Sequence, residues 1–133
     1  MFVEEQFVGS NSETIQITIT EQLVKDYLQA IDDFDHQKTL TIPSTLPFIF
    51  WPYFSVPWLD GKGPLVHGDQ QFQYKRSLII GETYECYITF NKAAQKRNLQ
   101  FLEHDLLITK NDEEIAKASS NFIIIGKKED ASI

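Results

Sequence analysis

Few side chains in this sequence are equipped to move a proton. The densest group of them is Ala30-Ile31-Asp32-Asp33-Phe34-Asp35-His36-Gln37-Lys38. An aspartate and a histidine on one short loop can flank a single water or hydroxyl, one taking a proton while the other gives one. Asp33 and His36 are the candidate catalytic pair. The competing reading makes Asp32, Asp33 and Asp35 solvated helix-end residues and His36 an exposed neighbour. The three carboxylates lack the spacing and the glycine of a calcium loop, so no metal is expected on them.

The remaining reactive side chains are scattered. His67 stands in Leu65-Val66-His67-Gly68-Asp69, and two roles are open to it. It is either a corner residue bonded to backbone, with Gly68 letting the chain turn, or a proton-transfer group at a pocket mouth. His104 lies between Leu102 and Leu106 in a strand and reads as a packed or interface residue. Cys86 alternates with Tyr84 and Ile88, the setting of a small buried hydrophobe and not of a nucleophile. The sequence holds no Gly-x-Ser-x-Gly turn and no phosphate-binding loop, and nothing in it asks for a cofactor.

These residues must be carried by elements, and the elements can be read in order. Ile15 to Thr20 alternates apolar and polar side chains, a half-buried strand. Thr20 then caps a helix of about ten residues, with Glu21 in its first turn. Leu23, Val24, Tyr27, Leu28 and Ile31 form one apolar face of that helix, which runs into the Asp32–His36 stretch as a polar loop. The segment IPSTLPFIFWPYFSVPW, residues 42 to 58, follows. Ser44 or Thr45 caps a second helix with Pro47 in its first turn, and Pro52 bends or ends it. Phe48, Ile49, Phe50, Trp51, Tyr53 and Phe54 are apolar nearly all round, so this helix is expected to be buried.

Leu59 to Pro64 is a turn-rich loop, and the rest is strand. Phe72 and Tyr74 share a face, as do Tyr84, Cys86, Ile88 and Phe90. Residues 98 to 110 form a strand that turns at Asn111-Asp112. The last strand sets the small residues Ala116, Ala118 and Ser120 on one face, letting a helix approach closely. The order is strand, helix, buried helix and four antiparallel strands. This is an α+β class fold, a hot-dog in which a long antiparallel sheet wraps a central apolar helix. The nearly polar-free helix needs cover on both sides, which favours a dimer.

The bulk numbers agree with such a fold. A chain of 133 residues, 42% hydrophobic and 23% charged, is expected to form a single domain over residues 1–133. A net charge of −7 disfavours nucleic acid, which needs a positive surface. The pairs Lys75-Arg76, Lys96-Arg97 and Lys127-Lys128 read as solvated surface, the last beginning a charged tail to Asp130. No apolar run reaches the roughly 20 residues that span a bilayer, so membrane insertion is not expected. The N-terminus lacks the basic region of a signal peptide, and a lone cysteine fits a cytoplasmic location.

The motifs PSTLPF, LVHGDQQFQYKRSLIIGETY and EEIAKASSNFIII together resemble the N-terminal MaoC-like dehydratase family. That family includes the non-catalytic subunits of (3R)-hydroxyacyl thioester dehydratases, and the resemblance runs from about Val8 to Gly126. It implies a hot-dog fold, an acyl thioester ligand on CoA or acyl carrier protein, and either a homodimer or a heterodimer with a catalytic hot-dog subunit. Active hydratases of the wider family carry a loop of the form Gly-Asp-x-Asn-Pro-x-His. Asp33 matches the motif aspartate. Asp32 stands for the glycine, Asp35 for the asparagine and His36 for the proline, while Lys38 falls where the histidine belongs.

Expected ligand contacts are the helix start Pro43-Ser44-Thr45, whose amides would face an enolate-like oxygen, and a tunnel lined by Phe48, Phe50, Trp51, Tyr53 and Phe54. His67 and Gly68 stand at its corner. Three functions remain open: a weakly catalytic or non-catalytic subunit, a stand-alone hydratase or thioesterase using Asp33 with His36, and a non-enzymatic lipid-binding homodimer.

Overall fold

The computed structural model describes residues 2–126. Lys127, Lys128 and the charged tail to Asp130 lie outside the described residues. Five strands form one antiparallel sheet: β1 (Ile15–Thr18), β2 (Leu65–Tyr74), β3 (Thr83–Lys96), β4 (Leu99–Lys110) and β5 (Glu113–Ile125), in the order β1-β3-β4-β5-β2. Two α-helices, α1 (Glu21–Ala30) and α2 (Phe34–Thr39), lie between β1 and β2, followed by 3-10 turns over Leu46–Tyr53 and Pro57–Leu59. None of the described helices is long and apolar enough to cross a membrane.

Alternation sets the inner face of the sheet. Tyr84, Cys86, Ile88 and Phe90 on β3, Leu102, His104, Leu106 and Ile108 on β4, and Ala116, Ala118 and Ser120 on β5 are all buried. The small residues of β5 stand between larger ones in register. Ala118 lies between Leu106 and Phe72, and Ala116 between Ile108 and Tyr74. Val24 and Leu28 of α1, Leu46, Phe50, Phe54 and Trp58 complete the core over this face. The β4–β5 turn places Asn111 and Asp112 at φ 52° and 63°, the left-handed pair that a two-residue hairpin needs to follow the strand twist. Lys75 and Arg76 form exposed ion pairs with Glu114 and Glu113.

Helix α1 starts as its sequence requires, with the Thr20 hydroxyl accepting from the Leu23 amide at 3.0 Å. The stretch expected to be a polar loop is instead the start of α2. Asp33 caps that helix, as aspartate does readily because its carboxylate takes an unpaired first-turn amide. The segment expected to be a buried α-helix is a 3-10 run, Leu46–Tyr53. Pro47 and Pro52 remove two amide donors within eight residues, and the Thr45 hydroxyl bonds Tyr27 at 2.6 Å and leaves the cap unmade. Nor is that segment covered all round by the described residues. Leu46, Pro47 and Phe50 are buried, but Phe48 is 45% and Tyr53 50% exposed.

Candidate functional site

Asp33 and His36 do come together. One carboxylate oxygen of Asp33 accepts from the His36 amide at 3.1 Å, and the other lies 2.8 Å from His36 Nδ1. The His36 backbone, then its ring, hold the Asp33 carboxyl below the usual carboxylate range. Such a carboxylate fixes the ring and leaves Nε2 to a substrate, the arrangement of an oriented base. It is also a capped helix start with a side-chain partner one turn on. Neither residue lines the cavities described below, and Lys38 is exposed in the last turn of α2. Asp32, Asp33 and Asp35 make no metal-binding group among the described residues.

The start of the apolar segment is clamped by two tyrosines. The Tyr74 hydroxyl donates to the Ser44 carbonyl at 2.5 Å, and the Tyr27 and Thr45 hydroxyls share a hydrogen bond. Burial first, and the nearby Tyr27 second, push the Tyr74 phenol up to about 12, so it stays a donor. Pro43 is buried, while Ser44 and Thr45 are exposed. Beside them is a cavity of about 290 Å³ lined by Ile42, Pro43, Ser44, Tyr74, Ser77 and Leu78. The Leu46 amide donates to the Pro43 carbonyl. That donor is therefore taken within the turn and not held out to a ligand.

The residues expected to line one tunnel divide into three groups. Phe50 and Phe54 are core. Tyr53 lines a shallow cavity of about 310 Å³ with Ile15 to Thr18, Thr20 and Leu23. Phe48 and Trp51 join a row of rings on the inner face. Phe48 packs on His67 at 5.1 Å and His67 on Phe122 at 5.5 Å, while Trp51 stands edge-on to Phe122 and to His104 at 5.0 and 5.7 Å.

His67 is exposed within β2 and its ring makes no hydrogen bond among the described residues, so ring packing holds it where a backbone bond was expected. Gly68 sits at a bulge between His67 and Asp69. Its backbone is not in the left-handed region. A Cβ there would lie 3.0 Å from the Asn121 carbonyl oxygen and 3.1 Å from Ile123 Cδ1. Glycine serves close approach to β5, not a turn.

Sequence reasoning missed the polar bond at the far end of the row. His104 is fully buried, and its Nε2 accepts from the Trp58 indole at 2.9 Å. The Trp58, His104 and Phe90 rings are parallel within 7°, with His104 and Phe90 centred 4.7 Å apart. Burial pushes the His104 pKa down to about 4, against an opposing pull from the Leu102 backbone and Asp105. Among the described residues its Nδ1 has no partner of hydrogen-bond geometry. The ring is therefore a neutral acceptor for Trp58. The available signal was its alternation with Leu102 and Leu106, which turns a histidine toward the core.

A five-stranded antiparallel sheet in this order, curled over an apolar segment joined by short helices, defines the hot-dog fold of the α+β class. Solved structures share it. The C-terminally truncated HadBC complex, a (3R)-hydroxyacyl-ACP dehydratase from Mycobacterium tuberculosis, matches with a TM-score of 0.74 at 12% identity, over 92% of this chain and 99% of its own. The ChsH1-ChsH2 complex from the same organism matches with a TM-score of 0.68 at 13% identity, over 87% and 84%. The (R)-hydratase from A. caviae involved in PHA biosynthesis matches with a TM-score of 0.60 at 9% identity, over 89% and 96%. At such identities the likeness shows the fold, and no curated protein matches the chain in sequence. The family is shown separately: residues 6–118 match the FAS1-like, dehydratase domain region, and the chain belongs to that family.

Proposed function

We propose that this chain is an acyl-thioester-binding subunit of a (3R)-hydroxyacyl dehydratase or enoyl hydratase, with little or no activity alone. It pairs through β2 with a second hot-dog subunit that supplies the working aspartate and histidine. The acyl chain lies along the Leu46–Tyr53 segment, with Pro43, Ser44, Thr45, Phe48, Trp51 and His67 nearest the thioester. The single observation that carries this reading is Lys38: it falls where the resemblance puts the motif histidine, and it is exposed in the last turn of α2 instead of facing the Asp33–His36 contact. The open β2 edge with Phe48, Leu65 and Val66 exposed beside or on it is what a partner would cover. A reducing, cytoplasmic setting suits the single, buried Cys86.

The test is to incubate the purified chain with crotonyl-CoA, following hydration and thioester hydrolysis separately and measuring its mass in solution. We expect hydration to be slow or absent alone and to be restored by a partner carrying an intact Asp-x-Asn-Pro-x-His loop. Losing one member of an acid–base pair typically costs roughly 10²–10⁴ in rate. A second reading, a stand-alone hydratase or thioesterase, is favoured by the 2.8 Å contact between Asp33 and His36 Nδ1. Robust hydration by the chain alone, lost in both Asp33→Asn and His36→Ala, would establish that reading and refute the first.

A further inference from the structure

The sheet carries a second apolar surface, on the face turned away from the core. Residues directly opposite on antiparallel strands share a face. Val66, Ile123, Phe101 and Ala94 stand in one such row across β2, β5, β4 and β3. Ile125 and Leu99 begin the next row, which ends at Lys96. Among the described residues, none of Val66, Leu99, Phe101, Ile123 and Ile125 belongs to the core or packs on it. Val66 is 45% and Ile125 49% exposed. A cavity of about 230 Å³ lies between Phe101 and Ala94 on one side and Lys92, Glu103 and Asn121 on the other, a socket for one side chain. A strand docked on the β2 border leaves this surface open, because it pairs with backbone at the edge.

Size and charge select what would cover it. Four strands about 4.8 Å apart and two rows about 7 Å apart make a patch on the order of 300 Å². A stable contact between two copies needs about 800 Å² from each, whereas a helix about 10 Å across and some 13 residues long covers the patch. At the other end of the sheet, Lys75, Arg76 and Lys110 are paired with Glu114, Glu113 and Glu82. Lys96 and Arg97, at the tip of the β3–β4 hairpin, form no ion pair among the described residues, and Lys96 stands opposite Leu99. They stay unpaired in a chain of net charge −7. On its other side the patch is bordered by a row of Asp69, Asn121, Glu103 and Lys92, where two carboxylates meet one cation. Negative charge on an occupant is therefore attracted at the tip and repelled across the patch. We propose that this surface docks one amphipathic helix of a partner protein, its apolar stripe on Phe101, Ile123 and Ile125 and its carboxylates along the flank that meets Lys96 and Arg97.

The probe is a synthetic helical peptide of about 18 residues, five turns, with a leucine stripe flanked on one side by glutamates. A second peptide carries lysines in place of the glutamates. Each is titrated into the isotope-labelled full chain while backbone amide shifts are followed by NMR and the mass in solution is measured. The glutamate peptide is expected to shift the amides of Leu99 to Phe101 and Ile123 to Ile125, and the lysine peptide to shift them little. Lys96→Glu combined with Arg97→Asn, the asparagine suited to the left-handed φ of 57° at that position, should weaken binding roughly three- to tenfold. Ile125→Ser, at an exposed position, should abolish it, and added salt should weaken it in the wild type. Equal binding of both peptides, shifts confined to other residues, or no shifts at millimolar peptide overturns the proposal. A mass of two copies that Ile125→Ser returns to one overturns it in favour of a contact between copies. Binding to phosphatidylcholine–phosphatidylglycerol vesicles that Ile125→Ser removes overturns it in favour of a lipid surface.

Discussion

His104 is compatible with this core only as a neutral imidazole. Its Nε2 takes the Trp58 N–H, so a proton added there would set two donors against each other and bury a charge with no counterion in contact among the described residues. The folded-state pKa falls to about 4 from an ordinary 6.5. Between those values the unfolded chain binds a proton that the folded chain refuses, so stability declines as pH falls from 6.5 to 4 and the loss is complete below 4. At about 1.4 kcal/mol per pH unit the loss is about 3 kcal/mol, a large part of the roughly 5–15 kcal/mol that holds a typical domain together. Urea unfolding of the wild type and of His104→Gln at pH 7 and pH 4, followed by circular dichroism, measures it. The variant starts less stable, because the ring stack is lost, but should lose about 3 kcal/mol less on acidification. Parallel losses in the two proteins would refute the argument, since they would mean that His104 titrates alike folded and unfolded.

Burial pushes the Cys86 thiol up to about 12, so a disulfide reagent at pH 8 should label the native protein only as fast as it opens, with urea accelerating the reaction. Immediate stoichiometric labelling would contradict the burial. Gly68→Ala sets a Cβ against the Asn121 carbonyl and should cost about 1–3 kcal/mol in denaturant unfolding; an unchanged midpoint would show that β2 shifts freely there. His67→Ala removes an exposed ring from Phe48 and Phe122 and should cost no more than about 1.5 kcal/mol. A larger loss would reveal a bond that ring packing does not account for.

What was legible in the sequence was local or periodic. The Thr20 cap, the alternation of Tyr84 to Phe90 and the Asn111-Asp112 turn each depend on neighbours within a few residues, and all three stand in the fold as read. Asp33 shows where that limit falls. An aspartate three residues before a histidine serves equally as an acid–base group and as a helix cap, and the sequence does not weigh the two. The segment Leu46–Tyr53 is apolar at nearly every position, so no periodic pattern distinguished a 3-10 pitch from an α-helix; its prolines, compatible in sequence with the start and the end of an α-helix, are what withhold the donors. The bond between Trp58 and His104 joins residues 46 apart, and no local pattern announces it. Gly68 was visible as a glycine but not for its reason, which lies across the sheet on β5.

The two borders of the sheet differ in a way that limits how copies can add to it. On one side β1 covers four residues of β3, and the backbone of residues 9 to 12 continues along Ile88 to Phe90. That border is short and broken, since β1 has only four residues. On the other side β2 presents ten residues with no neighbour beyond it among the described strands. Among the described strands, only β2 therefore offers a long continuous border. A partner strand that docks on β2 would use up the long border, and the four-residue β1 leaves a further copy little to pair with, which disfavours growth into a ribbon.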